Sequence, residues 1–555
     1  MNSTSDADRF DYIIVGGGLV GSVLASRLSH PDTNNSRTRV LLVEAGPAAS
    51  KNEVIPHASN TAALIGSELD WRYRTVPQGN LNGRCIGNPA GKCLGGGTAI
   101  NACGWTRGHH ADFDQWADHV GDERYTYQNL LPYFIRTEEY HDANVMPDRH
   151  EHGSNGPVYV ATPSSTGRRY PLREKLAQAW KENNVEPLLG LDGNAGCPVG
   201  LAELAESRRG GLRQLASSVY PLDGVHVLTN TLVKHILIEE SATTSSQPTA
   251  VGIEAADGKE YLGGEIIAAA GSYRTRQLLM LSGIGPSEIL NGLDIPIVLE
   301  NPEVSRNLSD HLQLTQYWRL KDPSAGYALG SPSFSNHPEY AHGLPVDWMV
   351  TTDVPKEGLA EAIAADIGEP ASLPSSNDPL LKSERSVMEH RVVYAAASAT
   401  DPAIALDGSH IASTTIHLLP TSKGTVTINS TDPASDPIID PEYLSTEVDR
   451  YAWRAGLRTT AQLFLGTETG KALIAAETPP DGFEPMGLDS DDNHLDARVR
   501  HKAFSAYHPT GTCSMGKVVD ANFRVLGVSN LRVIDASVIP VPIAAHIQAT
   551  VYALA

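Results

Sequence analysis

The chain begins with an apolar strand, a glycine-rich turn and a helix, in that order. The strand Asp11-Tyr-Ile-Ile-Val runs into Gly16-x-Gly18-x-x-Gly21, and the apolar residues that follow predict a helix over 22–28. The free amides and the positive end of a helix at such a turn bind a pyrophosphate. The opening residues therefore predict a dinucleotide-binding unit.

An acidic residue follows the second apolar strand. The run Leu41-Leu-Val ends at Glu44, 23 residues after Gly21. A carboxylate at that position accepts hydrogen bonds from both ribose hydroxyls of an adenosine and repels a 2′-phosphate. We therefore expect FAD or NAD as the cofactor, and not NADP.

The composition excludes several other classes of protein. The chain has 555 residues, a length that allows two or more domains. Of its residues, 41% are apolar and 19% are charged, an ordinary globular balance. Its longest apolar runs fall well short of the ~18 residues that indicate a membrane span. The net charge of −22, without a basic stripe, argues against nucleic acid and anionic membranes as partners.

The cysteines and histidines predict no metal site. Five cysteines without a CxxC pair fit reduced, mostly buried thiols better than disulfides or zinc ligands, which disfavours a flavin disulfide reductase. His150-Glu-His152 is the one histidine cluster that hints at a metal, but no further ligands stand at metal spacing. The chain also has no Gly-x-Ser-x-Gly motif, the simplest sign of a serine hydrolase.

The two ends of the chain bear on its location. Met1-Asn-Ser-Thr-Ser-Asp-Ala-Asp is polar and acidic and lacks the basic start and apolar segment of a secretory signal. We therefore expect an intracellular, cytoplasmic protein. The last residues, Val551-Tyr-Ala-Leu-Ala555, fall inside a predicted helix that should be longer, so we expect a missing C-terminal tail, where a targeting signal could lie.

The middle of the chain predicts two kinds of lobe. A Gly- and Pro-rich excursion over 79–108 replaces a regular crossover, and a loop of that length is usually functional. Patterns then predict a mostly helical segment at 112–139 and strands at 225–228, 232–239, 250–254 and 265–269. The last strand runs into Gly271, a second place for a dinucleotide contact. Residues 316–500 indicate an antiparallel sheet with helices, with irregular loops that include an acidic Ala/Pro/Ser stretch at 357–376 and an alternating strand at 424–429.

The long loop carries a motif that resembles a known family. Gly91-Lys-Cys-Leu-Gly95-Gly-Gly-Thr98-Ala-Ile-Asn101-Ala-Cys-Gly-Trp105-Thr-Arg-Gly108 is similar to the first signature of the glucose-methanol-choline (GMC) oxidoreductases. Further blocks resemble that family in its order along essentially the whole chain: Asp70-Trp-Arg-Tyr-Arg-Thr75, Asn307-Leu-Ser-Asp310-His311, Asp440-Pro-Glu-Tyr443-Leu, His508-Pro-Thr-Gly511 and Leu531-Arg-Val-Ile-Asp535-Ala-Ser-Val538. The second signature, from Gly271 to Gly285, is matched less well, because Arg276 stands where the family usually has proline or serine. The block Ala545-His-Ile-Gln-Ala-Thr-Val-Tyr552 is most similar to aryl-alcohol oxidases and glucose oxidases.

The resemblance implies a fold and a cofactor. It implies a discontinuous, Rossmann-like α/β FAD-binding domain over 1–158, 224–315 and 502–555, and an α+β substrate domain with an antiparallel sheet over 159–223 and 316–501. Members with a covalent histidyl flavin carry a histidine where this chain has Ile100, so the resemblance implies non-covalent FAD. With the opening unit included, the cofactor-binding candidates are Gly16, Gly18, Gly21, Glu44, Gly95, Thr98, Asn101, Ala102, Val233, Asp535, Ala536 and His546.

Two histidines near the C-terminus resemble the catalytic pair of the family. His508 matches the general base, and His546 matches a second residue that is histidine or asparagine among members. Loss of a hydride from an alcohol carbon requires loss of the hydroxyl proton, which a neutral imidazole can accept. Ala545 and His546 also begin a predicted final helix, whose positive end would stabilise the anionic edge of a reduced flavin.

We therefore predict an FAD-dependent GMC alcohol oxidase or dehydrogenase that converts a primary aryl or allylic alcohol into an aldehyde. Oxygen or a quinone-type acceptor would reoxidise the flavin, in a monomer or homodimer. The alternative is a lyase on the same scaffold, since the resembled family includes hydroxynitrile lyases that keep FAD without using its redox chemistry. A third alternative, a binding protein without activity, is disfavoured because both histidines are present.

Overall fold

The computed structural model describes residues 9–30, 38–49, 52–57, 61–144, 150–240, 247–368 and 378–555. The polar N-terminal segment 1–8 and part of the Ala/Pro/Ser stretch, 369–376, lie outside the described residues. Within the described ranges, no helix combines the length and the apolar character needed to cross a membrane.

The strands of the described residues are short and numerous. In chain order they are β1 Arg9–Val15, β2 Val40–Val43, β3 Tyr73–Arg74, β4 Gly87–Asn88, β5 Glu138–His141, β6 Val158–Ala161, β7 Gly200–Glu203, β8 Arg208–Arg209, β9 Leu212–Arg213, β10 His226–Leu228, β11 Val233–Glu239, β12 Thr249–Ala255, β13 Glu260–Ala268, β14 Ile284–Gly285, β15 Leu299–Glu300, β16 Leu312–Leu320, β17 Trp348–Thr352, β18 Met388–Val393, β19 His410–His417, β20 Thr425–Thr427, β21 Ile438–Asp440, β22 Ile474–Thr478, β23 Phe504–Ser505 and β24 Leu531–Val533.

The α-helices alternate with these strands. In chain order they are α1 Leu19–Ser29, α2 Thr61–Leu64, α3 His110–Val120, α4 Tyr127–Thr137, α5 Arg173–Glu182, α6 Ala216–Val219, α7 Gly271–Leu281, α8 Ser287–Gly292, α9 Lys356–Ile367, α10 Pro379–Lys382, α11 Glu447–Ala461, α12 Glu468–Leu473, α13 Asp492–Lys502 and α14 Gln548–Leu554.

The first of two large sheets contains the opening unit. Its strands lie in the order β10-β2-β1-β13-β12-β11, and β24 also pairs with β13. The central strand β1 is parallel to both β2 and β13, whereas β12 is antiparallel to its two neighbours. Ile13 and Ile14 are fully buried, as expected for a parallel strand with both faces covered. The predicted Rossmann-like α/β fold is confirmed, and the strands predicted within 225–269 are β10 to β13, with β13 beginning earlier, at Glu260.

The second large sheet is antiparallel, as predicted. Its strands lie in the order β22-β16-β19-β18-β17-β7, with β23 paired to β16. One face packs on α11, where Met388 of β18 and Trp453 belong to one apolar cluster. The opposite face looks towards the first sheet, so that the space between the two sheets is walled by elements of both.

Three predicted elements differ from the structure. The helical segment at 112–139 is two helices, α3 and α4, because Gly121 caps α3 in a left-handed conformation. The acidic stretch expected to be a loop from 357 onwards forms α9, since its alanine-rich sequence favours a helix and buries Leu359 and Ile363. The alternating strand at 424–429 is β20, but it pairs with β21 in a separate two-stranded sheet.

Candidate active site

A cavity of about 450 Å³ lies between the two sheets. At one end it is lined by Gly16 and Gly18 of the opening turn, and at the other by His508 and His546. The antiparallel sheet contributes Gln313, Arg391 and Ile416 to its wall. The segments that the sequence singled out for the cofactor and for catalysis therefore border one space.

The three glycines of the opening turn have different roles. Gly16 has a φ of +107°, and a Cβ there would lie 2.4 Å from the Ala269 carbonyl oxygen. A Cβ at Gly21 would lie 1.9 Å from the Gly16 carbonyl oxygen. At Gly18 the nearest atom to such a Cβ, on Gly96, is 3.9 Å away. Gly16 and Gly21 thus permit the tight turn and the close helix packing, whereas Gly18 leaves open space for a pyrophosphate at the start of α1.

Glu44 is held at the edge of this turn by two backbone amides. The Gly17 N–H donates to Oε2 and the Gly46 N–H donates to Oε1, both at 2.8 Å. Burial raises the pKa of Glu44. Each carboxylate oxygen keeps a second lone pair, so the side chain can still accept hydrogen bonds from ribose hydroxyls. These contacts fit the predicted adenosine site.

The second glycine turn packs directly on the first. The Gly95 N–H donates to the Gly17 carbonyl oxygen at 2.7 Å, and a Cβ on Gly96 would lie 2.7 Å from the Gly18 Cα. Thr98 Oγ1 accepts a hydrogen bond from the Ala216 N–H at 3.0 Å. This contact between the two turns requires glycine, because any side chain would separate them.

Most of the predicted cofactor-binding residues line the cavity. They are Gly16, Gly18, Glu44, Thr98, Asn101, Ala102, Val233, Asp535, Ala536 and His546. Gly21 and Gly95 instead lie behind the cavity wall, where they allow close backbone packing. The residues present therefore fit a long dinucleotide such as FAD.

Asp535 ties together two loops at the cavity wall. Its carboxylate accepts hydrogen bonds from the Gly271 N–H at 2.9 Å, the Thr275 hydroxyl at 2.6 Å and the Ser537 N–H at 2.8 Å. The start of α7 and the segment after β24 are thereby held side by side. This arrangement places the backbone of Gly271 at the cavity, where the sequence predicted a second contact.

Arg276, the departure from the second signature, points away from the cofactor. Its fully buried guanidinium donates to the backbone carbonyl oxygens of Thr512 and Arg306. Burial lowers its pKa to about 10. The neighbouring Arg274 and Gln277 line the cavity instead, so the unusual residue does not alter the cavity wall.

His508 is fixed by its backbone and by a second imidazole. The backbone N–H of His508 donates to Asp310 Oδ1 at 2.9 Å, and its ring Nδ1 lies 3.1 Å from His311 Nδ1. Burial lowers the pKa of His311 to about 3, so that ring is neutral, and one of the two Nδ1 atoms carries the hydrogen that the other accepts. Burial, followed by the neighbouring imidazoles of His546 and His311, lowers the pKa of His508 well below 6.5. His508 is therefore neutral at pH 7.

His546 lies beside His508 and is held by a carboxylate. The two ring centroids are 5.1 Å apart, and His546 Nε2 lies 3.0 Å from both oxygens of Glu389. Burial alone would raise the pKa of Glu389, but His546 and Arg391 outweigh it and lower the pKa to about 2. Glu389 is therefore ionised and accepts a hydrogen bond from the imidazole.

The final helix begins later than the sequence predicted. α14 starts at Gln548, so Ala545 and His546 lie in the segment before it. The His546 N–H donates to the Thr106 hydroxyl at 2.6 Å and the Ala545 N–H to the Ile543 carbonyl oxygen, which draws both residues into a turn. The expectation that the final helix begins at Ala545 and His546 is wrong.

Three residues of this site were not predicted. Glu389 and Arg391 lie on one face of β18, and His311 belongs to a block that the sequence identified without a role. The available signal was the sequence Met388-Glu389-His390-Arg391 in a strand. Side chains at positions i and i+2 of a strand lie on the same face, and charged side chains that are buried need a partner.

In the His150-Glu-His152 cluster, His152 contacts two carboxylates. His152 Nδ1 lies 2.7 Å from Glu138 Oε1, and its Nε2 lies 3.1 Å from Asp192 Oδ2. Burial would lower the pKa of His152, but the two carboxylates raise it above its usual value. Both ring nitrogens of His152 are therefore engaged by carboxylates.

A different group of possible metal ligands occurs at the start of α3. Donor atoms of His109, His110 and Cys197 lie within 4.8 Å of one another. However, His109 Nδ1 already accepts a hydrogen bond from the Ala111 N–H at 3.1 Å. His110 Nδ1 also lies 3.3 Å from Asp114 Oδ2, so two of the three side chains already have polar partners. All five cysteines are free thiols, and three of them are buried.

Comparison with known proteins supports the family expected from the motifs. Two family models, both described as GMC oxidoreductase, match residues 10–313 and 420–555. GMC-type oxidoreductase acuG of Aspergillus aculeatus is 41% identical over 550 residues, 98% of this chain and 97% of that protein. Pyranose dehydrogenase 3 of Leucoagaricus meleagris is 31% identical, over 99% of this chain and 92% of that protein. The crystal structure of pyridoxine 4-oxidase from Mesorbium loti superposes with a TM-score of 0.80 and 27% identity, over 98% of this chain and 97% of that one. The chain therefore belongs to the GMC oxidoreductase family.

Proposed function

We propose that the protein is an FAD-dependent oxidoreductase that oxidises a primary aryl or allylic alcohol to an aldehyde. The observation that carries this proposal is the pairing of His508 with His546 at one end of a cavity whose other end is the pyrophosphate turn. When bound, FAD supplies the acceptor for the hydride that leaves the alcohol carbon. Ile100 lines the cavity and has no nitrogen for attachment, so we propose that the FAD is non-covalent.

His508 removes the hydroxyl proton in this proposal. In this role the hydrogen shared with His311 stands on Nδ1 of His508, which leaves the Nε2 lone pair for the substrate. The O–H bond of the alcohol breaks and its proton goes to Nε2, while the C–H bond breaks and its two electrons and hydrogen leave as hydride. The carbon–oxygen double bond of the aldehyde forms at the same time. A neutral base is required, and the lowered pKa of His508 keeps it neutral at pH 7.

His546 positions the substrate oxygen. Glu389 accepts a hydrogen bond from Nε2 and so fixes the orientation of the ring. A Cβ on Gly104 would lie 2.6 Å from Nδ1, so the glycine leaves room for the imidazole in this position. The ring is thereby held next to the base, 5.1 Å from it between centroids.

The substrate class is proposed from the wall near the histidines. Ile416 and Tyr507 line the cavity there and offer apolar surface to a flat substrate. Membership of the family does not identify the substrate, since one relative is named for a pyranose and another for pyridoxine. The name of pyridoxine 4-oxidase supports an aryl alcohol as the substrate, whereas the name of the pyranose dehydrogenase supports a sugar.

An anaerobic screen of alcohols tests the proposal. Purified holoenzyme is mixed without oxygen with benzyl alcohol, cinnamyl alcohol, ethanol or glucose, and the flavin absorbance is followed. We expect rapid bleaching with the first two alcohols, and recovery when oxygen or a quinone is admitted. A flavin that stays oxidised with every alcohol, while mandelonitrile is cleaved to benzaldehyde, would overturn the proposal in favour of the lyase.

A further inference from the structure

Arg391 brings a cationic group to the cavity wall without a hydrogen-bonding partner. Its side chain is 13% exposed and lines the cavity from β18. Nε lies 2.9 Å from Glu389 Oε1, but the contact is off the N–H axis, so it is an ion pair and Nε makes no hydrogen bond. Among the described residues, no acceptor receives a hydrogen bond from the two terminal nitrogens of this guanidinium either.

Two other buried arginines of this chain also leave Nε without a partner, but they use their terminal nitrogens. The guanidinium of Arg107 donates to a carboxylate oxygen of Glu138 at 2.5 Å and to a backbone carbonyl oxygen at 2.7 Å. Arg385 donates to Asp112 at 2.7 Å and to the Pro379 carbonyl oxygen at 3.0 Å. An arginine has five N–H donors, and buried donors are almost always satisfied. The free donors of Arg391 therefore point to an acceptor that the protein itself does not supply.

The position of Arg391 is suited to the end of a substrate. On one face of the antiparallel sheet, Glu389 of β18 pairs with Ile416 of β19, which pairs in turn with Gln313 of β16. Arg391, two residues further along β18, lies on the same face and pairs with Thr414. Arg391 Nε and His546 Nε2 both contact Glu389 Oε1, at 2.9 Å and 3.0 Å, so the guanidinium lies close to the histidine pair. Residue 391 also falls between the stretches 10–313 and 420–555 that the family models match.

We propose that Arg391 determines specificity by binding a carboxylate carried by the alcohol, so that the substrate class is hydroxymethyl-substituted aromatic acids. This inference rests on the proposed function. A planar guanidinium binds a carboxylate through two parallel hydrogen bonds, which fixes both the position and the rotation of a flat substrate. With its far end held in this way, the hydroxymethyl group is directed towards the histidines.

A pair of matched substrates tests Arg391. The rate of anaerobic flavin reduction is measured with 4-(hydroxymethyl)benzoate and with the neutral 4-(hydroxymethyl)benzamide, and the meta isomers are compared in the same way. We expect the wild-type enzyme to prefer the acid by about 10- to 30-fold. Arg391→Met should abolish the preference, and Arg391→Lys should retain part of it. The ratio within one variant cancels any general effect of the substitution on Glu389 and His546.

A binding measurement separates this inference from the proposed function. Benzoate and benzamide are titrated into oxidised holoenzyme, and the flavin spectrum reports binding without any turnover. We expect tighter binding of benzoate, lost in Arg391→Met and kept in the control Arg319→Met, an exposed arginine of β16. Equal binding of the two ligands by the wild type, or a preference unchanged in Arg391→Met, would overturn the inference. If no alcohol reduces the flavin, the proposed function fails, and the benzoate preference alone decides the role of Arg391.

Discussion

Replacing Glu389 with glutamine should slow flavin reduction by about tenfold. The carboxylate lies 3.0 Å from His546 Nε2 and 2.9 Å from Arg391 Nε, and glutamine keeps its shape but not its charge. A hydrogen bond to a charged group contributes about 1.5–3 kcal/mol, against about 0.5–1.5 kcal/mol for a neutral one. The difference of about 1–1.5 kcal/mol corresponds to a rate decrease of about 5- to 15-fold if it is expressed in the transition state.

The same substitution should lower stability in a pH-dependent way. The folded protein lowers the pKa of Glu389 from 4.5 to about 2. A lowered carboxyl pKa means that the ionised group stabilises the fold above about pH 4.5, and that this stabilisation is lost as the pH falls towards 2. At about 1.4 kcal/mol for each pKa unit, the contribution is about 3 kcal/mol near neutral pH.

Stopped-flow reduction by benzyl alcohol, normalised to bound flavin, measures the first effect. Thermal unfolding at several pH values measures the second. Glu477→Gln is a matched control, because Glu477 forms a buried ion pair with Arg498 at 2.5 Å in the same sheet and does not line the cavity. The control should lose stability without a slower reduction of the flavin. Reduction at the wild-type rate in Glu389→Gln, or an equal slowing in the control, would refute the reasoning.

Three further predictions concern the rest of the site. Glu44→Ala should raise the dissociation constant for FAD about 10- to 100-fold in a titration of apoprotein, since a charge-assisted acceptor is lost, and unchanged affinity would contradict this. Gly104→Ala should slow reduction while flavin is retained, because the new Cβ would lie 2.6 Å from His546 Nδ1, and wild-type kinetics would show that the ring need not occupy this position. The rate of flavin reduction should be constant above pH 6.5 and fall only at more acidic pH, because His508 acts as a neutral base with a lowered pKa. An inflection above pH 6.5 in the stopped-flow pH profile would exclude His508 as that base.

The cofactor end of the cavity could be predicted from the sequence because its determinants are local. A strand, three glycines at fixed spacing and an acid after the next strand lie within 36 consecutive residues, 9–44, and each has a distinct steric or electrostatic reason. Gly16 and Gly21 tolerate no side chain, and Glu44 is fixed by the amides of the same turn. The same local patterns predicted the α/β unit around β1, whereas the division into two domains was implied by the family resemblance.

The catalytic end could not be predicted from local patterns. His311 and His508 are 197 residues apart, and His546 and Glu389 are 157 apart. Such contacts depend on how two sheets face each other, which periodicity within one segment does not specify. The two candidate catalytic histidines were found through family resemblance, and Glu389 and Arg391 fall in a stretch that the family models do not match.

The role of His508 as the base that starts alcohol oxidation is tested most directly by anaerobic flavin reduction in His508→Ala. With benzyl alcohol as the substrate, we expect reduction to slow by about 10²- to 10⁴-fold while the spectrum of bound FAD is retained. His546→Asn should be milder, because an amide can still hydrogen bond to the substrate oxygen. Reduction of His508→Ala at the wild-type rate would contradict the account and require a different base or a different reaction.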